Sequence, residues 1–291
     1  MNHDPRTPEP ASHAAEMAAG ERFGFGANWS RFLQRLDARR IQAAEQSLQR
    51  MLSLASLQDL RFLDAGSGSG LFSLAARRLG ARVHSFDYDP QSVACTRFLR
   101  ERHAAELSEP VDEAQWRVEE GSVLDKAYLD GLGEFDVVYS WGVLHHTGHQ
   151  WTAIDNVSRL VSPQGHLFIA IYNDQGGLSR WWTGIKRLYS RHPLLRWPLI
   201  VLYTPWFVWL RWLYRQLAGL GAVGRGMTLW YDMIDWLGGY PFEVARPEDV
   251  FRFLHARGFE LRELTTAGGT AGCNEFVFQR TREARTDEGA R

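Results

Sequence analysis

The sequence contains few cysteines and almost no net charge. Its two cysteines, Cys95 and Cys273, are far apart and lack C-x-x-C spacing, which argues against a disulfide framework or a zinc site. We therefore expect reduced thiols and no structural metal. With a net charge of −1 over 291 residues, the protein as a whole lacks the excess of positive charge that is typical of nucleic acid binding. A hydrophobic share of 45% excludes global disorder.

The two ends of the chain lack the patterns of folded segments. Residues 1–20 are rich in Pro, Ala, His and Glu and have no apolar signal-peptide core, so we predict a disordered tail and a cytoplasmic protein. Residues 281–291 are charged, and we predict a loose C-terminal tail.

Residues 21–57 are predicted to form an N-terminal helical lid segment. Apolar residues recur there at helical spacing after Ser30, which is predicted to cap the helix. The aromatic residues Phe23, Phe25 and Trp29 precede it. They can pack a helix on a sheet, cover a bound ligand, or do both.

Three glycines at alternate positions follow a short apolar strand predicted over residues 60–65. Gly66, Gly68 and Gly70 form a turn without Cβ atoms, which lets a ligand approach the backbone closely. A helix is predicted to begin at Leu71, with its N-terminus facing the same ligand. Strand, glycine turn and helix N-terminus together indicate the nucleotide crevice of an open α/β sheet.

A second strand, predicted over residues 82–87, ends in an acid about twenty residues after the first glycine. The Asp87 carboxylate can accept two hydrogen bonds from ribose hydroxyls. Tyr88 follows and is placed to flank an adenine ring. The dinucleotide fingerprint G-x-G-x-x-G would need glycine where this chain has Leu71, which argues against NAD.

The G-x-G-x-G spacing after Asp64 resembles motif I of the class I S-adenosylmethionine-dependent methyltransferases. Residues 119–125 resemble the block after the third strand of that fold, and residues 134–147 resemble motif IV at the end of the fourth. The resemblance implies S-adenosylmethionine as the cofactor. The cofactor-binding residues that it implies are Asp64, Gly66, Ser67, Gly68, Gly70, Asp87, Tyr88, Ser122, Val123, Leu124, Asp125 and Trp141, with Asp64 near the amino acid end and Ser122 to Asp125 around the adenine.

The same family implies an α/β fold for residues 58–280. We expect a doubly wound, mostly parallel seven-stranded sheet with an antiparallel closing hairpin (a Rossmann-like methyltransferase fold) and a helical, aromatic-rich insertion. Alternating strand and helix patterns support the parallel part. The predicted strands are 60–65, 82–87, 115–119, 135–140, 165–173, 259–264 and 274–279.

The insertion, residues 174–245, is too long for a simple loop. Between Gln175 and Tyr231 it has eight basic residues, no acidic ones and seven of the chain's twelve tryptophans. Three interpretations remain open. The segment can be a helical cap over the substrate, an interfacial element that touches the membrane through residues 180–215, or a surface for a macromolecular partner.

The end of the insertion is interpreted as a substrate-facing wall. Asp232 and Asp235 are three residues apart on a predicted helix and share a face. A tight Gly-Gly turn then presents Tyr240 and Glu243, and Tyr172 lies at the end of the fifth strand. A capped turn with solvated acids is the alternative.

Candidate catalytic residues are His145 and His146, just past the fourth strand. The pair resembles motif IV of quinone-type and other small-molecule methyltransferases, and histidine titrates in the range useful to a general base. Metal ligation and a structural or cofactor-contact role are the alternatives.

The sequence thus predicts methyl transfer from S-adenosylmethionine to a small-molecule or lipid-like acceptor at oxygen, without a nucleic acid partner. One alternative is a protein of the same fold that binds cofactor or partner without catalysis. Another is a methyltransferase that acts on a macromolecule through the basic, aromatic insertion.

Overall fold

The structure is a computed structural model that describes residues 12–210, 212, 229–268 and 272–281. Within these ranges the side chains of Ala27, Phe207, Leu210, Asp235 and residues 229–232 lie outside the description. The predicted C-terminal tail beyond residue 281 and residues 1–11 lie outside it as well.

A seven-stranded sheet in the order β3-β2-β1-β4-β5-β7-β6 organises the protein. The strands β1 to β5 are parallel, and β7 runs antiparallel to both β5 and β6. This confirms the predicted fold class, including the closing hairpin. The strands are β1 Arg61–Ala65, β2 Arg82–Asp87, β3 Trp116–Glu120, β4 Phe135–Trp141, β5 Val161–Tyr172, β6 Phe259–Thr265 and β7 Cys273–Arg280.

Helices cover both faces of the sheet and form the insertion. They are α1 His13–Ala18, α2 Gly26–Leu33, α3 Ala38–Leu52, α4 Leu71–Arg78, α5 Pro90–Leu107, α6 Lys126–Asp130, α7 Gln150–Arg159, α8 Gly177–Arg191, α9 Pro193–Thr204, α10 Leu229–Gly238 and α11 Pro247–His255. A 3₁₀ turn spans Leu144–His146, and a π-helical turn, Pro205–Leu210, continues α9. Among the described helices, none combines the length and apolarity needed to cross a bilayer.

Successive strand residues alternate between two apolar cores, as the pleat of a strand requires. On β1, Phe62 packs in the core beneath α3, α4 and α5, whereas Leu63 packs in the core beneath α7 and α11. Both side chains are fully buried. Because both faces are covered, the sheet offers a ligand only its edges and the ends of its strands.

The strand order reverses between β1 and β4, so the crevice of the sheet opens where these two strands end. The glycine turn follows β1, the histidine pair follows β4, and Asp87 ends β2 next to β1. The topology therefore brings three separately predicted site segments to the same edge.

The insertion has an apolar core of its own. Trp182, Tyr189, Leu199, Met233 and Phe242 are buried together in one cluster, to which α8, α9, α10 and the segment after α10 contribute. The described part of the insertion is therefore a packed helical layer, which we call the cap (residues 174–210, 212 and 229–245).

Two local predictions are wrong. Ser30 does not cap a helix but lies inside α2, where its hydroxyl donates to the carbonyl of Gly26, and the cap of α3 is Asp37, which accepts the Arg40 N–H at 2.9 Å. The predicted disordered tail over residues 1–20 contains α1, which packs on the protein through contacts described below. Cys95 is buried as expected, whereas Cys273 is only partly buried.

Candidate active site

The glycine turn after β1 is packed from two sides by protein atoms. Gly66 has φ +86°, and a Cβ there would lie 2.4 Å from Val143 of the loop after β4. At Gly68, with φ +54°, a Cβ would lie 3.1 Å from the indole of Trp29 on α2. Glycine is thus required at Gly66 by protein packing as well as by backbone conformation.

Replacement of Gly66 by alanine should destabilise the protein more than the same change at Gly142. Both glycines have positive φ, +86° and +74°, but Gly142 has open space where its Cβ would point. The backbone conformation costs about 1–2 kcal/mol at either site. The clash with Val143 should add about 1–3 kcal/mol to the Gly66→Ala cost alone. Urea unfolding of both variants measures the difference, and equal losses would contradict this account of the turn.

The Asp87 carboxylate closes the glycine turn from the side of β2. One oxygen accepts the Gly68 N–H at 2.9 Å, and the other accepts the Asp89 N–H at 2.9 Å. Burial raises the pKa of Asp87 to about 6, against the effect of these two hydrogen bonds. The structure therefore brings together two of the predicted cofactor-binding elements.

The Asp64 carboxylate is buried beneath the turn at the end of a chain of hydrogen bonds. The Ser73 hydroxyl donates to Asp64 at 2.5 Å, the Ser85 hydroxyl donates to Ser73 at 2.8 Å, and the Trp116 indole donates to Ser85 at 2.9 Å. Burial, aided by the charge of Asp87, raises the pKa of Asp64 to about 7, although the Ser73 hydrogen bond opposes the rise.

This supporting chain was not predicted from the sequence, because single serines inside a strand and a helix carry no motif. Strand pairing gives the one signal that could have found it. Asp64 on β1 and Ser85 on β2 are partners in the strand register. Because side chains alternate between the two faces along each strand, register partners on neighbouring strands point to the same face of the sheet.

Two desolvated carboxylates at one glycine turn fit the expected cofactor. Within the described part of the chain, neither Asp64 nor Asp87 forms an ion pair with a basic side chain. An amino acid ammonium near Asp64 and ribose hydroxyls near Asp87 would supply the missing cation and donors. The N-terminus of α4 follows the same glycine turn.

Binding of S-adenosylmethionine should weaken as the pH falls below about 7, because Asp64, with a pKa of about 7, must lose its proton to hold an ammonium. The affinity should drop on the order of tenfold for each further pH unit. In the Asp64→Asn variant, the pH at which the affinity begins to fall should move to about 6 or lower, where Asp87 titrates. Calorimetric titration across this range measures this pH, and a wild-type affinity that is constant from pH 5 to 8 would contradict the assignment.

Tyr88 is covered by the N-terminal segment. Its hydroxyl donates to Glu16 at 3.3 Å, and the Arg22 guanidinium lies 4.9 Å from its ring centroid. Arg22 also pairs with Glu16 and donates to the carbonyl of His146 at 3.0 Å. We call residues 13–33 the N-terminal cover, because they bridge from the predicted ribose and adenine residues to the histidine pair.

The block after β3 is arranged by local caps. Ser122 accepts the Leu124 N–H at 3.2 Å, and Val123 is buried. Asp125 is exposed and caps α6 by accepting the Tyr128 N–H at 3.0 Å. One Asp125 oxygen is thereby occupied, which leaves the other for the predicted contact with the adenine amino group.

Trp141 ends β4 beside the glycine turn. Its indole N–H donates to the Glu275 carboxylate on β7 at 3.0 Å, which fixes the ring across the ends of neighbouring strands. Ser67 is held from the opposite side by the Thr96 hydroxyl at 2.9 Å. Both predicted cofactor residues therefore lie at the crevice in defined orientations.

A backbone carbonyl of the cap fixes the tautomer of His146. Its Nδ1 lies 2.6 Å from the carbonyl oxygen of Pro241, so Nδ1–H donates and the neutral ring keeps an unprotonated Nε2. Burial lowers the pKa of His146 to about 3, and the positive charges of Lys186 and Arg22 act in the same direction. His146 is therefore neutral throughout the physiological range.

His145 has a different environment. Its Nδ1 accepts the Tyr172 N–H at 3.3 Å, and Nε2 is buried with no hydrogen-bond partner among the described residues. Burial holds the pKa of His145 well below its usual range, with His146 and Lys186 adding to the effect. This ring lies 4.0 Å from Tyr172 and supports the end of β5.

An aromatic wall from the cap faces the two histidines. The Tyr172 ring lies 5.6 Å from Trp236 and 5.0 Å from Phe242. The fully buried Lys186 ammonium donates to the Trp236 carbonyl and lies 4.2 Å from the Trp236 ring centroid and 4.6 Å from that of Phe242. Neither Trp236 nor Lys186 was singled out from the sequence as a site residue.

Two other predicted substrate residues, Tyr240 and Glu243, follow α10 in the cap. Tyr240 accepts the Arg187 guanidinium N–H at 3.3 Å. Glu243 donates its N–H to the His145 carbonyl at 2.9 Å, its carboxylate accepts the Gln150 N–H at 3.1 Å, and burial raises its pKa. Asp232 and Asp235 lie on α10, but their side chains are outside the described residues. No cluster of three metal-ligating side chains occurs in the described ranges.

Comparisons with known proteins identify the family of the chain. A sequence profile of the methyltransferase domain family matches residues 32–221. The chain belongs to the class I S-adenosylmethionine-dependent methyltransferases. The family, the fold and the cofactor predicted from the sequence are thereby confirmed.

Two curated relatives are ubiquinone biosynthesis O-methyltransferases. That of Xanthomonas oryzae pv. oryzae (strain PXO99A) is 37% identical over 117 residues, which are 40% of this chain and 45% of that protein. That of Parvibaculum lavamentivorans is 33% identical over 117 residues, 40% of this chain and 42% of that protein. The chain thus spans less than half the length of these relatives.

A solved O-methyltransferase family protein from Burkholderia thailandensis is similar over 83% of this chain and 57% of that chain. The two share 15% identity with a TM-score of 0.50, a likeness that concerns the fold.

Proposed function

We propose that this methyltransferase transfers the methyl group of S-adenosylmethionine to a hydroxyl oxygen of a small, apolar or lipid-like acceptor. The observation that carries the proposal is the orientation of His146 at the end of β4. The Pro241 carbonyl holds Nδ1–H, so Nε2 is the atom available to take a proton from an acceptor. The relatives named as O-methyltransferases of ubiquinone biosynthesis support an oxygen nucleophile and an apolar acceptor.

The cofactor supplies a methyl group on a sulfonium, so the new C–O bond forms as the C–S bond breaks and the acceptor's proton goes to Nε2 of His146. The protein's own part is alignment and the exclusion of water. Tyr172, Trp236 and Phe242 provide an apolar wall at the histidine pair, and the N-terminal cover supplies Phe25, whose ring lies 5.1 Å from that of His146.

The weak basicity of His146 restricts the acceptor. A ring with a pKa of about 3 would take the proton late in methyl transfer, when the oxygen already carries positive charge, and this transfer is easier the more acidic the hydroxyl is. We therefore favour a phenol-type or similarly acidic hydroxyl over an ordinary alcohol. A lipid-like acceptor of this kind would require the enzyme to work at a membrane surface.

Replacement of His146 by alanine should lower turnover on the order of a hundredfold while S-adenosylmethionine affinity stays within about twofold. Labelled-methyl transfer into a cell extract, together with calorimetry, separates the two effects. His149→Ala is the matched control, because this histidine is exposed on the same loop. Unchanged turnover in His146→Ala would remove the residue as the base.

Replacement of Asp87 by alanine should weaken S-adenosylmethionine binding by at least about tenfold, because two hydrogen bonds to the ribose are lost. Asp112→Ala is the matched control, since the Asp112 carboxylate also caps a local turn, at 2.8 Å from the Ala114 N–H, but far from the crevice. Calorimetry with the cofactor and its demethylated product measures both variants. Wild-type protein that binds both compounds without methylating any acceptor would instead support a non-catalytic binding module.

A further inference from the structure

An apolar stripe runs along the outside of the cap. Along α9 and the π-helical turn, most of the exposed large apolar side chains recur at intervals of three or four residues, a spacing that places them on one side of a helix. Its main members are Leu194, Trp197, Val201, Leu202, Trp206 and Trp209, with exposed fractions of 92%, 70%, 66%, 66%, 66% and 67%. An exposed patch with so many tryptophans indicates a partner surface.

The opposite face of α9 is also apolar, but it is buried. Leu199 and Ile200 pack in the cap core with Trp182 and Phe242. One buried apolar face is enough to pack a helix onto its neighbours, so the packing of α9 does not require a second apolar face toward solvent. The exposed stripe is therefore not explained by the stability of the cap within the described structure.

The charged side chains of α9, the helix that carries the stripe, and of α8, the helix before it, are all basic. Between residues 175 and 231 the sequence contains no acidic residue, and Arg180, Arg187, Arg191 and Arg196 are exposed on α8 and α9. Exposed tryptophans with surrounding arginines match the headgroup region of an anionic bilayer, where indoles prefer the interface and arginines attract lipid phosphate. A second copy of this chain would bring two such basic surfaces together, which disfavours self-association.

We propose that the apolar stripe of α9 and the π-helical turn docks on an anionic membrane surface. The helix lies in the plane of the interface, because the uncharged run from Pro198 to Leu210 is thirteen residues long and a span needs about twenty. Docking is peripheral and depends on both apolar burial and basic charge.

The docked face connects to the active site through aromatic rings. Trp181 is exposed beside the stripe and lies 4.8 Å from Trp182, which lies 5.5 Å from Trp236. Trp236 lies 5.6 Å from Tyr172, which lies 4.0 Å from His145. A membrane-resident acceptor, which rests on the proposed function, would thus meet an apolar layer between the bilayer and the histidine pair.

Flotation of the full chain with vesicles tests the docking. With vesicles of equal parts phosphatidylcholine and phosphatidylglycerol at low salt, the wild-type protein should float. It should float less with phosphatidylcholine alone, and less as salt screens the arginines. The double variant Trp197→Ser/Trp206→Ser should lose about tenfold or more in partitioning, because two interfacial indoles are removed.

The matched control is Phe98→Ser/Leu107→Ser. It removes two large apolar side chains on α5 with exposed fractions of 53% and 52%, and it should float like the wild type. Each variant is first checked for an unchanged thermal midpoint and unchanged S-adenosylmethionine affinity. These checks separate a failure of docking from a failure of the fold or of the methyltransferase function.

Two kinds of result would overturn the proposal. The first is wild-type protein that stays at the bottom at low salt, or a tryptophan variant that floats equally well. The second is a wild-type dimer in light scattering that becomes monomeric in the tryptophan variant without vesicle binding, which would assign the stripe to a second copy of the chain.

Discussion

The desolvation of two carboxylates at the edge of the sheet is the constraint on which the site depends. Asp64 and Asp87 end neighbouring parallel strands beneath the same glycine turn, and burial raises the pKa of both. Such groups do not stabilise the fold by themselves, because burying a charged carboxylate without a cation costs free energy. The hydrogen-bond chain from Trp116 through Ser85 and Ser73 holds Asp64 in place despite that cost, which fits a site that is completed by a cationic, hydroxyl-bearing cofactor.

The histidine pair lies where two distant parts of the chain meet. Arg22 of the N-terminal cover donates to the His146 carbonyl, and Pro241 of the cap accepts from its ring. Arg22 also lies on Tyr88, so one side chain joins the predicted nucleoside pocket to the proposed base. The tautomer of His146 therefore depends on a residue of the cap. It sets which nitrogen can accept a proton.

Much of the sheet could be predicted from the sequence, because its signals are local. Asp64, the glycines and Asp87 fall at strand ends that hydrophobic patterns delimit, and β2 lies at residues 82–87 as expected. The contacts that set the chemistry are not local. The hydrogen bonds that support Asp64 can be predicted only when the strand register is known. The contact of the Pro241 carbonyl with His146 requires the folded cap, and the packing of Trp29 on Gly68 requires α2 to lie over the turn. Ser30 was misassigned as a cap because a serine before an apolar run satisfies the pattern equally well from inside a helix.

The low pKa of His146 links the chemistry to the surface of the cap. The burial that keeps the ring neutral also makes it a weak base, so the proposed acceptor would need an acidic hydroxyl. The same aromatic layer that desolvates the histidines, from Tyr172 through Trp236 to Trp182, continues to the exposed stripe of α9. A polar acceptor would lose its hydration on entering this layer with few polar partners in return. An apolar molecule with one acidic hydroxyl would lose little, and it would already be concentrated in a bilayer against which the stripe could lie.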